Sequence, residues 1–301
     1  MFSEQFTHSV GVDGADRRFR CCGRASRCGI FTTTTAASIA LLAASFLFES
    51  TYAFSVEQRQ NAHAIHRIVF GTAALSKSDE PLPLLDAAFA KGFRRFDLAH
   101  TYGAGESERI FGRWLDARPD IARSDLDIIT KGGIGDDAFG DPDRPLLTQS
   151  SLHSEIDESL AALRTDFVDL YMFHRDDPRI NVADFVEWIN EAVNTGKIKR
   201  WGVSNWNFDR FQAAHEYAKS NGLVPPSANS PQFSLAVPDG EVWPSTYSIS
   251  APDNSAEIDW YQDRGVELLC WEGELVHRRI SCHTIIFSVN DIFNSLFFSS
   301  F

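Results

Sequence analysis

From Ile65 onward the chain alternates short apolar runs with longer amphipathic stretches, without a low-complexity break, and this limits its fold more than any other feature. A short apolar run suits a buried strand and a longer amphipathic stretch suits a helix, so the repeat predicts βα units around a parallel sheet. The strands are expected at 67–70, 94–98, 126–130, 168–173, 200–203, 230–233 and 266–270, and the helices at 81–91, 106–116, 148–163, 182–195, 208–220 and 254–264. Pro81 can open the first helix, because a first-turn residue needs no amide donor. Gly196 stands where a helix-ending glycine belongs. Seven strands with interleaved helices favour an α/β fold of the (β/α)8 TIM-barrel type over residues 61–271. The runner-up is a doubly wound sheet, but its glycine-rich dinucleotide turn is missing: GTAA at 71–74 is too short for it.

Charge and cysteine usage narrow the function. Over 301 residues the net charge is −13, so the chain offers no broad basic surface for phosphate backbones and nucleic acid is not an expected partner. Cys21, Cys22 and Cys28 lie in the first thirty residues, leaving only Cys270 and Cys282 in the body. That is no disulfide framework, and without a nearby histidine set no metal site is expected.

Residues 1–60 differ from all that follows. Five arginines fall between Arg17 and Arg27, threonines fill 32–35, and 36–48 is nearly all apolar, which together read as a targeting leader. The apolar stretch has the length of a signal-peptide core and is short for a membrane span. Thr51-Tyr52-Ala53 suits cleavage before Phe54, and an aromatic residue at that place is similar to the two-part plastid presequences of algae with complex plastids. The expectation is plastid or secretory entry, with a retained membrane anchor or a misplaced start of a cytoplasmic protein as the alternatives; any membrane contact runs through this leader alone.

Four polar residues follow the apolar runs: Asp97 and Tyr102 in FDLAHTYGAGESE, Lys131 in LDIITKGG, and His174 in VDLYMFHRDD. In a barrel, strand ends of this kind converge on the active-site face. A tyrosine is a poor acid at neutral pH, its unperturbed pKa being about 10. A lysine ammonium beside it favours the phenolate and is expected to lower that value, while an aspartate keeps the lysine charged and in place. A neutral histidine can hold a carbonyl oxygen by a hydrogen bond. The set suits carbonyl reduction, with Tyr102 as acid and His174 as orienting donor. Singly, each has a plainer explanation: Lys131 and Asp97 as an ion pair, His174 as a satisfied loop histidine.

The order of these segments closely resembles the aldo/keto reductase family from about Arg67 to Trp271. FDLAHTYGAGESE looks like the family's tyrosine segment with its Ser-Glu helix start, ITKGG like its lysine strand, and GKIKRWGVSNW like the segment ending in a Ser-Asn pair. The 29-residue step from Tyr102 to Lys131 is also the family's. The resemblance implies that Asp97, Tyr102, Lys131 and His174 are the catalytic tetrad and that the cofactor is NADP(H) in preference to NAD(H), bound across the barrel mouth. It implies that Ser204, Asn205 and Gln232 bond the nicotinamide carboxamide, that Trp271 stacks on the nicotinamide ring, and that Asp97, Gly71 and Thr72 lie near the cofactor. The substrate is then a small carbonyl compound, and oligomeric state is not legible.

The chain departs from that pattern after VELLCW. Glu272 stands where a small hydroxyl residue would meet the pyrophosphate, and the tail 272–301 holds no strand-helix-strand set and no basic loop for a 2′-phosphate. Its Phe, Ser and Asn-rich composition is closer to translated non-coding sequence than to an evolved element, so a barrel truncated after its seventh strand is expected, with 284–289 available as a substitute strand. Two further readings follow: a reductase-like protein of weak or no turnover, or a binding subunit resembling the family's potassium-channel β-subunits. A third is a module tethered through its leader. In 236–255 only Trp243 suggests a pocket wall.

Overall fold

A computed structural model describes residues 68–134, 146–234, 237, 240–250 and 254–271, together with the backbone of one further strand at 285–288. The leader, Glu272 and the rest of the tail lie outside the described residues. Strands β1 (Ile68–Gly71), β2 (Arg95–Asp97), β3 (Asp127–Gly132), β4 (Val168–Phe173), β5 (Ile198–Ser204), β6 (Ala228–Ser230) and β7 (Glu267–Cys270) follow one another around a ring, each parallel to the next. Helices α1 (Pro81–Ala90), α2 (Glu106–Asp116), α3 (Gln149–Leu163), α4 (Val182–Asn194), α5 (Phe208–Ser220) and α6 (Ser255–Asp263) alternate with them. Among the described residues this is an incomplete (β/α)8 barrel, with seven parallel strands. β8 (Ile285–Ser288) runs antiparallel to both β1 and β7 and closes the ring, within the 284–289 segment expected as a substitute.

Local chemistry sets the helix ends. Pro81 is in the first turn of α1. Thr148 and Ser151 form a reciprocal capping box at α3, and Asn181 and Asn207 cap α4 and α5 by accepting from the amides of Ala183 and Arg210. Gly196 takes φ 78° just after α4, a conformation that costs any other residue. Among the described residues no helix is long and apolar enough to cross a membrane.

Side chains along a strand alternate between faces, and two separate apolar clusters result. Phe96, Ile128, Tyr171, Phe173, Trp201, Val203 and Leu268 face outward and pack against Leu85, Phe111, Trp114, Ile156, Phe185 and Phe211 of the helices. Val69, Ile129, Leu170, Met172, Ala228 and Leu269 form a smaller cluster inside the ring, with Trp271 packed on it. One step of two residues from this inner layer, in either direction, reaches a different chemistry. Toward the strand starts come Arg95, Asp127 and Glu267, joined with Arg200 in a ring of ion pairs: Arg95 to Asp127 at 2.7 Å and to Glu267, and Arg200 to Asp127 at 3.6 Å and to Glu267 at 3.7 Å. Toward the strand ends come Gly71, Lys131, His174, Ser230 and Trp271, with Asp97 and Ser204 at the same level on β2 and β5. Period two therefore places the candidate residues on the barrel's inner face at its carboxyl end.

One expected strand moves. β6 ends at Ser230 instead of running from 230 to 233, because Pro231 has no amide to continue the ladder. Beyond it Gln232 makes only isolated bridges to Ser248 and Trp271.

Candidate active site

Asp97 ends β2, and the loop after it turns back so that Tyr102 reaches over the barrel mouth. Gly103 holds φ 61° there, and a side chain on it would strike Ser76, its Cβ 2.8 Å from that of Ser76. The loop is anchored to β3 by His100, whose amide donates to the Lys131 carbonyl at 2.8 Å. Behind β3, Thr130 donates to the buried Glu108 at 2.5 Å, and the same carboxylate lies 4.0 Å from the His100 ring. The Ser-Glu pair at the start of α2 thus braces the tyrosine loop from outside the barrel, while Ser107 meets Thr72 at 2.6 Å.

The four residues expected to act together do meet. Lys131 Nζ lies 2.6 Å from Asp97 Oδ1 and donates to the Tyr102 hydroxyl at 3.0 Å and to the Leu98 carbonyl at 3.0 Å. The Tyr102 hydroxyl lies 3.4 Å from Asp97 Oδ2. The His174 ring stands edge-on to that of Tyr102 at 5.6 Å between centroids, with Nδ1 3.3 Å from Thr101 Oγ1. Asp97, Lys131 and His174 are buried, and Tyr102 is half-buried.

Burial dominates the electrostatics. It pushes the Asp97 carboxyl up against the pull of Lys131. It also acts to strip the proton from Lys131, but Asp97 and Tyr102 outweigh it and the ammonium is held above its ordinary range. Burial, helped by the charges of Lys131 and Arg175, drives His174 well below the usual histidine value, so its imidazole is neutral at neutral pH. For Tyr102 burial again comes first, exceeding the opposing pull of Lys131, and the phenol lies above its ordinary value. This corrects the expectation of a lowered tyrosine: in the closed-in site the loss of water outweighs one ammonium. The result is a tyrosine that keeps its proton, next to a donor that does not titrate.

Tyr102, Lys131 and His174 open on a cavity of about 480 Å³, lined also by Ser76, Lys77, Thr101, Arg175, Ser204, Asn205, Ser230, Trp243 and Trp271, while Asp97 stays behind Lys131. Ser204 Oγ donates to the Ser230 carbonyl at 3.1 Å, and Asn205 Nδ2 donates to Ser204 Oγ at 2.8 Å. Asn205 Oδ1, though buried, accepts no hydrogen bond from the described residues. A buried acceptor left open beside a hydroxyl and an indole face fits a primary carboxamide on a flat ring, the chemistry of a nicotinamide.

Of the remaining expected residues, Gln232, Thr72 and Gly71 sit outside the cavity lining. Gln232 does not line this cavity: its amide donates to Ser234 at 3.1 Å and accepts from Ser248 at 2.6 Å. Thr72 is buried beneath the tyrosine loop, donating to the Asp97 carbonyl at 2.8 Å, and Gly71 pairs with Asp97 in the sheet. Trp243 lines the cavity yet is 56% exposed, as a rim residue would be. Arg175 and Lys77 were not singled out from the sequence. Arg175 could have been found, since it directly follows His174 at a strand end.

The model of the aldo/keto reductase family matches residues 67–272. The chain is 31% identical over 219 residues to a 6-dehydroglucose reductase of Agrobacterium fabrum, covering 69% of this chain and 67% of that protein. It is 29% identical over 162 residues to the oxidoreductase YcsN of Bacillus subtilis, covering 50% of this chain and 53% of that one. The chain spans about half the length of most curated relatives it matches. Among solved structures, a thermostable aldo-keto reductase crystallised with the inhibitor epalrestat superposes with a TM-score of 0.53 at 23% identity, over 67% of this chain and 66% of that one, a likeness of fold. With its family match running from the first strand to just past the seventh, this chain belongs to the aldo/keto reductase family.

Proposed function

We propose that the chain reduces an aldehyde or ketone to an alcohol with NADP(H), Tyr102 serving as general acid. The observation that carries this reading is the Asp97–Lys131–Tyr102 chain of contacts at 2.6 and 3.0 Å, ending on a protonated phenol at the cavity wall. Ser204, Asn205 and Trp271 would hold a nicotinamide, which would supply the hydride for such a reduction. The chain's own groups do the rest. His174, neutral and edge-on to Tyr102, orients the carbonyl oxygen toward the phenol. As that oxygen gains negative charge, Tyr102 gives up its proton, and Lys131 stabilises the phenolate left behind. Asp97 keeps Lys131 in position. Gln232 serves as a carboxamide partner in this scheme only if its amide exchanges Ser234 and Ser248 for the ligand. That the Agrobacterium relative is a 6-dehydroglucose reductase supports reduction as the reaction class.

NADPH binding and turnover test the reading directly. In the full chain NADPH should quench tryptophan fluorescence, and an aldehyde should then drive loss of its absorbance; Tyr102→Phe should keep the binding and lower kcat by at least about 100-fold, the scale of lost acid catalysis. Binding without any turnover in the wild-type chain would favour the binding-subunit reading instead.

A further inference from the structure

The chain as a whole is strongly acidic, at −13, but the cavity reverses that sign. Lys77, Lys131 and Arg175 line it, and among the described lining residues there is no carboxylate. These three cations differ in what they can do. Lys131 is engaged with Asp97 and Tyr102. Lys77 is exposed at the rim, in the turn Leu75–Lys77, where solvent screens it. Arg175 is half-buried in the wall between the tyrosine and the Ser204–Asn205 pair.

Its position is fixed. Arg175 Nη1 donates to the His174 carbonyl at 3.0 Å, and Asn205 Nδ2 lies 3.5 Å from the same oxygen. Its charge is felt at both reacting side chains, pulling Tyr102 and His174 downward. A guanidinium stays charged even where burial disfavours it, and its planar fork matches the two oxygens of a carboxylate. Neutral carbonyl compounds offer such a group nothing. A carbonyl at Tyr102 and His174 with a carboxylate at Arg175 would use the polar wall at two points, with Trp271 and Trp243 flanking the apolar stem between them.

Building on the carbonyl-reductase reading, we propose that Arg175 is a specificity-determining residue that recognises a carboxylate on the substrate, making acid-bearing aldehydes or ketones the preferred class. The cofactor's phosphates are the other natural takers of positive charge, and the test separates the two.

The test uses titration calorimetry on the full chain with 4-carboxybenzaldehyde and methyl 4-formylbenzoate, a pair that differs in its anionic group, each with and without saturating NADP+. The acid should bind about 10-fold more tightly than the ester, the gain of one charge-assisted contact, and NADP+ should leave that preference intact. Arg175→Met should abolish the preference and Arg175→Lys should restore part of it. Equal binding of acid and ester by the wild-type chain, no measurable binding of the acid, or a preference that survives in R175M would each overturn the proposal. So would a preference erased by NADP+, which assigns the carboxylate to the cofactor's anion site, or one lost in Lys77→Met while R175M retains it. Oxidation of NADPH with the ester reports separately on the reductase reading, so the two can fail independently.

Discussion

Asp97 and Lys131 are each only 3% exposed, so their 2.6 Å contact is an ion pair that water does not screen. Removing one partner of such a pair costs far more than the pair contributes, because the other charge stays buried. Lys131→Met should therefore destabilise the folded chain by about 3–5 kcal/mol in urea denaturation at neutral pH. The deficit should depend on pH with a definite sign. Without the ammonium, burial holds the Asp97 carboxyl above its unfolded value of about 3.9, so folding favours the protonated acid. The variant is then closest to wild type below about pH 4, and its deficit grows as pH rises through the raised folded value. Adding Asp97→Asn removes the stranded charge and should recover much of the loss; a deficit flat from pH 4 to 7 would contradict this account. At the same scale, the pKa of Tyr102 shows where residue-level reading from sequence stops. The lysine next to it was legible from motif order; the extent of its burial was not, because burial belongs to the assembled barrel.

Between elements, the close approach of α2 to α3 turns on Gly112. Although α2 is otherwise a regular amphipathic helix burying Ile110, Phe111 and Trp114, a Cβ at Gly112 would collide with the Ala162 carbonyl oxygen and sit 3.0 Å from the Leu163 carbonyl carbon. Backbone gives way less readily than a side chain. Gly112→Ala, which raises helix propensity, should nonetheless lower stability by about 1–3 kcal/mol through overpacking, measurable as a drop in Tm; a rise in Tm would show that the helices can separate freely. Since α2 also carries Glu108, which braces the tyrosine loop, the same change tests how firmly the site rests on this helix. The elements themselves were largely legible. β4 matches its apolar run from Val168 to Phe173, and helix ends are marked by the backbone chemistry of Pro81 and Gly196 and by the capping side chain of Thr148. β6 departs from the expected 230–233 because Pro231 cannot continue the ladder, so the strand lies two residues earlier and ends at Ser230. The ring of Arg95, Asp127, Arg200 and Glu267 was not legible although all four fall within the expected strands, because which face of each strand turns inward is settled only when the barrel assembles.

Across the whole molecule, closure rests on β8. A seven-stranded parallel sheet leaves two unpaired edges, and edges of that kind pair with other chains. Here Val69 is in register with Ile286 and Leu269 with Ser288, so one short antiparallel strand covers both edges. Ile286→Pro removes a ladder donor from that strand. The variant should lose thermal stability and elute as higher-order species in size-exclusion chromatography; an unchanged monomer-to-oligomer ratio would show that β8 does not guard the edges. The family fold and the inward face of the site could be inferred from period and motif order, but the direction of β8 could not, since a four-residue apolar run pairs equally well either way. The pairing of Ile68 with Phe287 also fixes a timetable. At ribosomal speeds of about 5–20 residues per second, β1 emerges some 10–45 s before the strand that will cover it. During translation this protein is an open sheet in a crowded cell, and whatever shields that edge in the interval has as much say in its yield as the finished barrel's own stability.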